Sequence, residues 1–262
     1  METTLDARPR AVNSNSMHQG SPIFSTSGLA AGQIAEFAAA LRLDQPRTAA
    51  ETPTAHIAAE KIVAAARRGF DVACAAIGLV FLAPVFAVIA AAIKLEDGGP
   101  VFYAQMRVGK EFKMFRLFKF RSMSAVSPEG AVLTSPDDPR VTRVGRYLRK
   151  CKLDELPQLL NVVRGDMQLV GVRPQTERFV EVFPFEYSVL LQEPPGITGL
   201  ASLAFRHEEQ MFGPGPIEQQ YLEHILPEKL RLALEYHMKR TFLSDIEIIC
   251  RTVLGFKSPA RR

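Results

Sequence analysis

The chain has 262 residues, 47% of them hydrophobic, which is enough for one large domain or a smaller domain with appendages. Its net charge of +4 is unevenly placed, because Val101–Lys152 holds twelve Lys/Arg against four Asp/Glu and therefore suits phosphorylated ligands, nucleic acid or an acidic membrane surface. The three scattered cysteines show no metal-ligand spacing, which argues against a disulfide-stapled secreted scaffold and indicates a reducing compartment.

The N-terminal part of the chain is predicted to be a flexible tail over residues 1–55. It is rich in Ala, Ser, Thr, Pro and Gly, and it lacks the basic-then-apolar pattern of a secretory signal. Residues 56–97 are predicted to form a basic lead-in followed by a membrane helix. The lead-in, His56–Arg68, fits a helix lying on a membrane surface.

The apolar run Val72–Ile93 contains 22 residues without a charge, and about 20 apolar residues can span a bilayer as a helix. This length and uniformity argue against a buried core helix. Pro84 near the middle is expected to bend the helix. Basic residues flank both ends, which draws both toward the cytoplasm. The pattern therefore favours a re-entrant helix-break-helix over a full crossing, which would place the tail outside.

The rest of the chain is predicted to be a cytoplasmic domain over residues 98–256, followed by a basic C-terminal end, 257–262. Val101–Val108 and Phe112–Met123 predict a β-hairpin, and Met167–Val172 predicts a short strand. The predicted fold class is α/β, mostly α with a small hairpin or sheet, with amphipathic helices at the membrane surface. Helices are predicted at Arg140–Cys151, after Asp154, and at Thr176–Tyr187, Ile217–Glu223, Pro227–Arg240 and Asp245–Phe256.

The candidate catalytic residues are Asp154 and Glu155, which follow a basic run and precede apolar residues at helical spacing. Asp154 suits a helix N-cap, and Arg164-Gly165 is typical of a helix end. Carboxylates at the positive end of a helix can hold phosphate, metal or both. Nearby cations are expected to lower the pKa of Asp154 and keep it ionised, as a nucleophile or a Mg²⁺ ligand. The alternative is a structural N-cap followed by a favourable first-turn acid.

Several cations lie in elements that could converge on this pair, namely Lys119, Arg121, Arg149, Lys152 and Arg173. They would neutralise a diphosphate and the charge that develops on its leaving group. Asp137-Asp138 could bind a metal, but within Ser-Pro-Asp-Asp-Pro a turn is the simpler interpretation. The five histidines do not show the spacing of a zinc site.

Six motifs occur in an order that resembles the bacterial sugar transferase family, the monotopic polyprenyl-phosphate phosphoglycosyl transferases. They are FKFRSM at 118–123, LDELPQL at 153–159, NV at 161–162, GDM at 165–167, VGVRP at 170–174 and PGITG at 195–199. With the preceding apolar run, the resemblance covers about Arg67–Phe256.

The resemblance implies a bacterial inner-membrane enzyme on the cytoplasmic face, with both termini cytoplasmic and a re-entrant helix. Such enzymes transfer a sugar phosphate from a UDP-sugar to polyprenyl (undecaprenyl) phosphate, release UMP, and start the assembly of exopolysaccharide or another lipid-linked glycan. By the resemblance, Asp154 is the nucleophile that forms a phosphosugar intermediate and contacts Mg²⁺, Glu155 completes the dyad, and Arg173 contacts the nucleotide. The expected partners are a UDP-sugar, polyprenyl phosphate and membrane lipids, with a homodimer as one possibility and no nucleic acid.

Three departures from the family pattern stand out. Val172 replaces a proline, Ala83 replaces the serine before the hairpin proline, and LASLAFR at 200–206 replaces WAQVNGR. Arg206 keeps its spacing and remains a predicted substrate-binding residue, although this segment could alter the choice of sugar. Two rival hypotheses are an inactive membrane-anchored scaffold of the same fold and a binder of nucleic acid or acidic membrane. The scarcity of aromatics among the arginines of 140–152 argues against nucleic acid, and neither rival explains the acidic pair.

Overall fold

The computed structural model of this protein describes residues 53–124 and 138–255. Most of the predicted tail, Asp137, and the basic C-terminal end lie outside the described residues. The helices are α1 Pro53–Asp97, α2 Arg143–Lys150, α3 Gln158–Arg164, α4 Glu177–Val182, α5 Pro184–Leu190, α6 Leu200–Ala204, α7 Ile217–Gln220, α8 Leu226–Lys239 and α9 Phe242–Leu254. The strands are β1 Phe102–Val108, β2 Met114–Phe120, β3 Gln168–Val170 and β4 Gly196–Thr198.

Helix α1 is the longest element, with 45 residues and a length of roughly 68 Å at 1.5 Å per residue. Its segment Lys61–Asp97 is long and apolar enough to cross a membrane, and only 11% of the most apolar window is buried. Val80, Phe81 and Val88 are largely exposed. These exposed apolar side chains confirm that α1 is not the buried core helix of an ordinary globular domain.

The sequence predicted a break in the membrane helix at Pro84. In this structure α1 instead continues through Pro84 as one helix. A proline removes one hydrogen bond and bends a helix without necessarily ending it. The other face of α1 packs on the domain through Ala75, Ile89 and Ile93. These residues span roughly 27 Å of helix, so the domain lies along α1 rather than beyond one of its ends.

Two small sheets flank the site, and both contain predicted strands. β1 and β2 form the predicted antiparallel hairpin, with Phe102 opposite Phe120 and Val108 opposite Met114. β3 confirms the predicted short strand and pairs in parallel with β4, which was not predicted as a strand. The β3–β4 contact requires glycine, since a Cβ on Gly196 would lie 2.1 Å from the backbone nitrogen of Gly171.

Helix α3 is fixed between α1 and β2 by polar contacts. The buried side chain of Asn161 accepts a hydrogen bond from the Phe118 N–H at 3.0 Å and donates one to the Arg116 carbonyl at 2.7 Å. Arg68 of α1 donates to the carbonyl of Val163 at the C-terminal end of α3. Gly165 then ends the helix with φ +97°, as predicted.

The helix predictions are right in type and less accurate at their ends. The predicted helix Thr176–Tyr187 is two helices, because Pro184 begins a new one directly after α4. The predicted last helix starts earlier, at Phe242. Thr241 and Ser244 form a reciprocal capping box there, with Ser244 in the place of the usual Glu or Gln.

Candidate active site

The acidic pair lies on a tight turn rather than at a helix N-terminus. Lys152 enters the turn in the left-handed conformation, with φ +57°, and Leu153–Glu155 form a single 3₁₀ turn. Helix α3 starts only at Gln158, after Pro157. The prediction that Asp154 caps this helix is therefore wrong, because the chain reverses at Lys152 and the proline separates the turn from the helix.

Glu155 is the paired member of the dyad. Its carboxylate accepts hydrogen bonds from Lys119 Nζ at 3.2 Å and from Arg173 Nη1 at 3.0 Å, and Arg173 Nη2 provides a further contact. Burial alone would raise the pKa of Glu155, but the Arg173 and Lys119 charges outweigh it and hold this pKa well below its usual range. Glu155 is therefore ionised and bound by two cations.

Asp154 has the opposite environment. Its side chain is buried, with the residue 7% exposed, and its Oδ1 atom has no hydrogen-bond partner within the described part of the chain. Burial, and then the charge of Glu155, raise the pKa of Asp154 despite the nearby Lys119, Arg149 and Lys152. The expectation of an exposed carboxylate with a lowered pKa is wrong. Its neighbour engages Lys119 and Arg173, and desolvation outweighs the remaining attraction.

Both carboxyl groups line a cleft of about 170 Å³. Six cationic side chains and three carboxylates line it, so the wall carries an excess of positive charge suited to a diphosphate. Among the predicted residues, the cleft brings together Lys119, Arg149, Lys152, Asp154, Glu155 and Arg173. Arg149 is oriented by a hydrogen bond from its Nε to Ser122 Oγ at 2.9 Å.

Two predicted substrate-binding residues are not among those that line the cleft. Arg121 is buried and paired with Asp97 at the end of α1. This side chain therefore ties β2 to the apolar helix. Arg206 is half-buried and lies close to Gly255, just beyond the end of α9.

Other cleft residues were missed by the sequence analysis. They include Arg107, Gln175, Glu208, Tyr221 and Lys229. Lys229 belongs to an amphipathic helix and has the local pattern of a solvated position, yet it is 6% exposed and forms an ion pair with Glu208. Burial and the like charge of Arg173 lower the pKa of Arg107 to about 10. Only tertiary contacts bring these residues to the cleft, so no local motif could have identified them.

The unpaired Oδ1 of Asp154 fits a hard cation. Mg²⁺ is usually held by one or two carboxylates together with water and substrate phosphates rather than by a full protein cage. The described residues contain no group of three or more His, Cys, Asp or Glu side chains that could hold a metal by themselves. Asp138, the described member of the other acidic pair, instead bonds Arg140 through both carboxylate oxygens and supports the turn interpretation.

Comparison with known proteins gives a consistent result. The family model described as bacterial sugar transferase matches residues 62–258, which include most of α1 and every residue of the cleft. The exopolysaccharide production protein ExoY of Rhizobium meliloti is 37% identical over 175 residues, which cover 61% of this chain and 77% of ExoY.

Two further relatives are named as phosphotransferases. A UDP-glucose:undecaprenyl-phosphate glucose-1-phosphate transferase of Caulobacter vibrioides is 36% identical over 192 residues, covering 71% of this chain and 68% of the relative. A UDP-N-acetylgalactosamine-undecaprenyl-phosphate N-acetylgalactosaminephosphotransferase of Aeromonas hydrophila is 43% identical over 146 residues. That match covers 54% of this chain and 34% of the longer relative.

The environment of Asp154 predicts that Asp154→Asn stabilises the fold. The pKa of this carboxyl is about 3.8 in the unfolded chain and higher in the folded chain. The free energy of unfolding therefore falls as the pH rises from 3.8 to the pKa of the folded state. At neutral pH we expect Asp154→Asn to raise Tm, because the substitution removes a carboxylate whose charged form is disfavoured by burial. Thermal unfolding in detergent measures this, and the gain should disappear below the unfolded pKa.

Asp138→Asn is the control, and it is expected to change Tm in the opposite direction. The hydrogen bonds from Arg140 hold the pKa of Asp138 at about 2, so this carboxylate stabilises the fold above the unfolded value. Its substitution should lower Tm at neutral pH, and the loss should shrink as the pH falls toward about 2. An unchanged or lower Tm for Asp154→Asn would contradict the burial argument.

Proposed function

Because this chain belongs to the bacterial sugar transferase family, we propose that it transfers a sugar 1-phosphate from a UDP-sugar to polyprenyl phosphate, starting the synthesis of an exopolysaccharide or another lipid-linked glycan. The observation that carries the proposal is the dyad: one buried, unpaired carboxylate beside one carboxylate bound by two cations, in a cationic cleft. The names of the relatives support the donor and the acceptor.

The environments of the two carboxylates divide their roles. Asp154 keeps an oxygen without a hydrogen-bond partner among the described residues, so it is the member available to attack phosphorus. Glu155 accepts from Lys119 and Arg173 and has a strongly lowered pKa, which makes it a poor proton acceptor. In the proposed reaction Glu155 positions these two cations rather than handling protons.

The first half-reaction moves the phosphosugar onto the enzyme. Ionised Asp154 attacks the β-phosphorus of the UDP-sugar, an O–P bond forms, and the bond between that phosphorus and the oxygen bridging to the α-phosphate breaks. UMP leaves with the bonding electrons. Lys119, Arg149 and Arg173 line the cleft where they can balance the diphosphate and the charge that develops on UMP.

The second half-reaction regenerates the carboxylate. A phosphate oxygen of the polyprenyl phosphate attacks the same phosphorus, and the acyl phosphate bond to Asp154 breaks. The product is a polyprenyl-diphosphate-sugar. Splitting the transfer in this way lets a soluble donor and a lipid acceptor use one cleft at different times.

A Mg²⁺ ion fits this arrangement. Asp154 would hold it through a carboxylate oxygen, together with the phosphates of the substrate. When bound, the ion supplies charge neutralisation for the diphosphate.

UMP release tests the proposed chemistry. In nanodiscs with Mg²⁺, a UDP-sugar panel and undecaprenyl phosphate, we expect Asp154→Asn to reduce turnover about a thousandfold or more, because the nucleophile is lost. Without lipid acceptor, mass spectrometry of the wild type should find a phosphosugar adduct on the peptide that contains Asp154. Chelation with EDTA should stop turnover, and added Mg²⁺ should restore it.

Asp166→Asn is the matched control, because it makes the same substitution at the far end of α3 and can still accept the hydrogen bond from Asn161. It should retain turnover. An Asp154→Asn variant with wild-type UMP release would eliminate this residue as the nucleophile. A well-folded wild type that releases no UMP from any UDP-sugar would favour the inactive scaffold.

The proposed topology is monotopic, with α1 embedded in one leaflet of the inner membrane and the cleft on the cytoplasmic face. The domain packs along roughly 27 Å of α1 between Ala75 and Ile93, close to the whole hydrocarbon thickness of about 30 Å. A helix crossing the bilayer along this segment would carry the domain into the lipid. This argument supports an α1 that stays on one side of the bilayer, with its N-terminal end also on the cytoplasmic side.

Cysteine labelling tests this topology. With the three native cysteines replaced, Ser25→Cys in the tail should resist a membrane-impermeant maleimide in intact cells and react once the cells are permeabilised. The permeabilised sample is the control for reactivity. Labelling from outside intact cells would contradict the monotopic arrangement and indicate a full crossing.

A further inference from the structure

The cleft contains an ion pair that the proposed phosphoryl chemistry does not use. Lys229 of α8 donates a hydrogen bond from Nζ to Glu208 Oε2 at 2.6 Å. The Lys229 side chain is 7% exposed and that of Glu208 is 29% exposed, and both residues line the cleft. A buried ion pair usually stabilises a fold no better than apolar residues of similar volume. Its position in the cleft therefore points to a role in binding.

Two of the three aromatic residues that line the cleft are covered. Tyr221 and Phe179 are 2% and 1% exposed and pack against each other with ring centroids 5.2 Å apart, whereas the third, Phe212, is half-buried. Lys229 Nζ lies 5.3 Å from the centroid of the Tyr221 ring, and the Tyr221 hydroxyl accepts a hydrogen bond from Gln175. A nucleobase needs an open ring face for stacking, and neither buried ring offers one. This part of the cleft instead presents a carboxylate, an ammonium and an amide.

These groups match sugar hydroxyls better than they match phosphate. A carboxylate has two oxygens with about four lone-pair sites, and an ammonium has three donors. One contact between Glu208 and Lys229 leaves each group with capacity for hydroxyl groups, which both donate and accept. The Glu208 carboxylate would repel a phosphate.

We propose that Glu208 and Lys229 bind the hydroxyl groups of the donor's sugar ring and determine which sugar is transferred. The inference rests on the proposed function. It assigns to the pair a contact with the hexose part of the UDP-sugar. The relatives described above are named for different sugars, glucose and N-acetylgalactosamine, so the sugar is the part of the donor in which they differ by name.

The test compares epimeric donors. In nanodiscs, kcat/KM is measured for the best UDP-sugar of the wild type and for its C4 epimer, together with inhibition by UMP. Removing a charged hydrogen-bonding partner should reduce discrimination between the epimers about tenfold or more in Glu208→Gln, which is nearly isosteric. Inhibition by UMP should not change, because UMP has no hexose. Lys229→Met should reduce discrimination in the same way.

Arg231→Met is the matched control. Arg231 lies on the same helix and pairs with Glu228 on the exposed surface, so its loss should leave discrimination and Tm unchanged. Unchanged discrimination in a folded Glu208→Gln enzyme would overturn the inference. Weaker inhibition by UMP would also overturn it, in favour of a nucleotide contact, and so would a wild type indifferent to the epimers. If the wild type turns over no UDP-sugar at all, the proposed function fails first and the inference fails with it.

Discussion

Glu155 accepts hydrogen bonds from Lys119 of β2 and from Arg173 beyond β3, and the character of the cleft depends on this contact. The pair of cations keeps Glu155 ionised. Asp154, one residue earlier, is buried and its Oδ1 has no hydrogen-bond partner among the described residues; this burial, and then the charge of Glu155, raise its pKa. A carboxylate stabilised by few hydrogen bonds is a better nucleophile than one bound on every lone pair. The two adjacent acids therefore differ in pKa because of their surroundings and not because of the intrinsic acidity of a carboxyl group.

The fold brings these partners together from distant parts of the chain. β2 supplies Lys119, the turn before α3 supplies the dyad, and the segment after β3 supplies Arg173. Asn161 joins α3 to β2, and Arg68 joins α3 to α1. The apolar helix α1 thus also supports the site, because α3 is attached to it through Arg68. In the proposed topology, the cationic cleft would lie close to a lipid surface, where a soluble and a lipid-borne phosphate could both reach it.

Local signals in the sequence predicted the hairpin, the end of α3 at Gly165 and the apolar helix, since each depends on residues close in the chain. They also singled out the two adjacent acids that line the cleft. The burial of Asp154 could not be predicted, because it depends on how the turn packs against distant elements. Glu208 and Lys229 were missed for the same reason: a lysine on an amphipathic helix has a solvated pattern until tertiary contacts bury it. Arg121 is the opposite case, because it was predicted to bind substrate but forms an ion pair with Asp97 instead.

The central claim is that the pKa of Glu155 is lowered and the pKa of Asp154 is raised. Carboxyl carbon-13 NMR of protein labelled at aspartate and glutamate, titrated over roughly pH 3 to 8, measures both groups directly. The signals are assigned with Asp154→Asn and Glu155→Gln. The account predicts that Glu155 titrates well below 4.5 and Asp154 above 3.8. An Asp154 signal that titrates at or below its ordinary value would contradict the account.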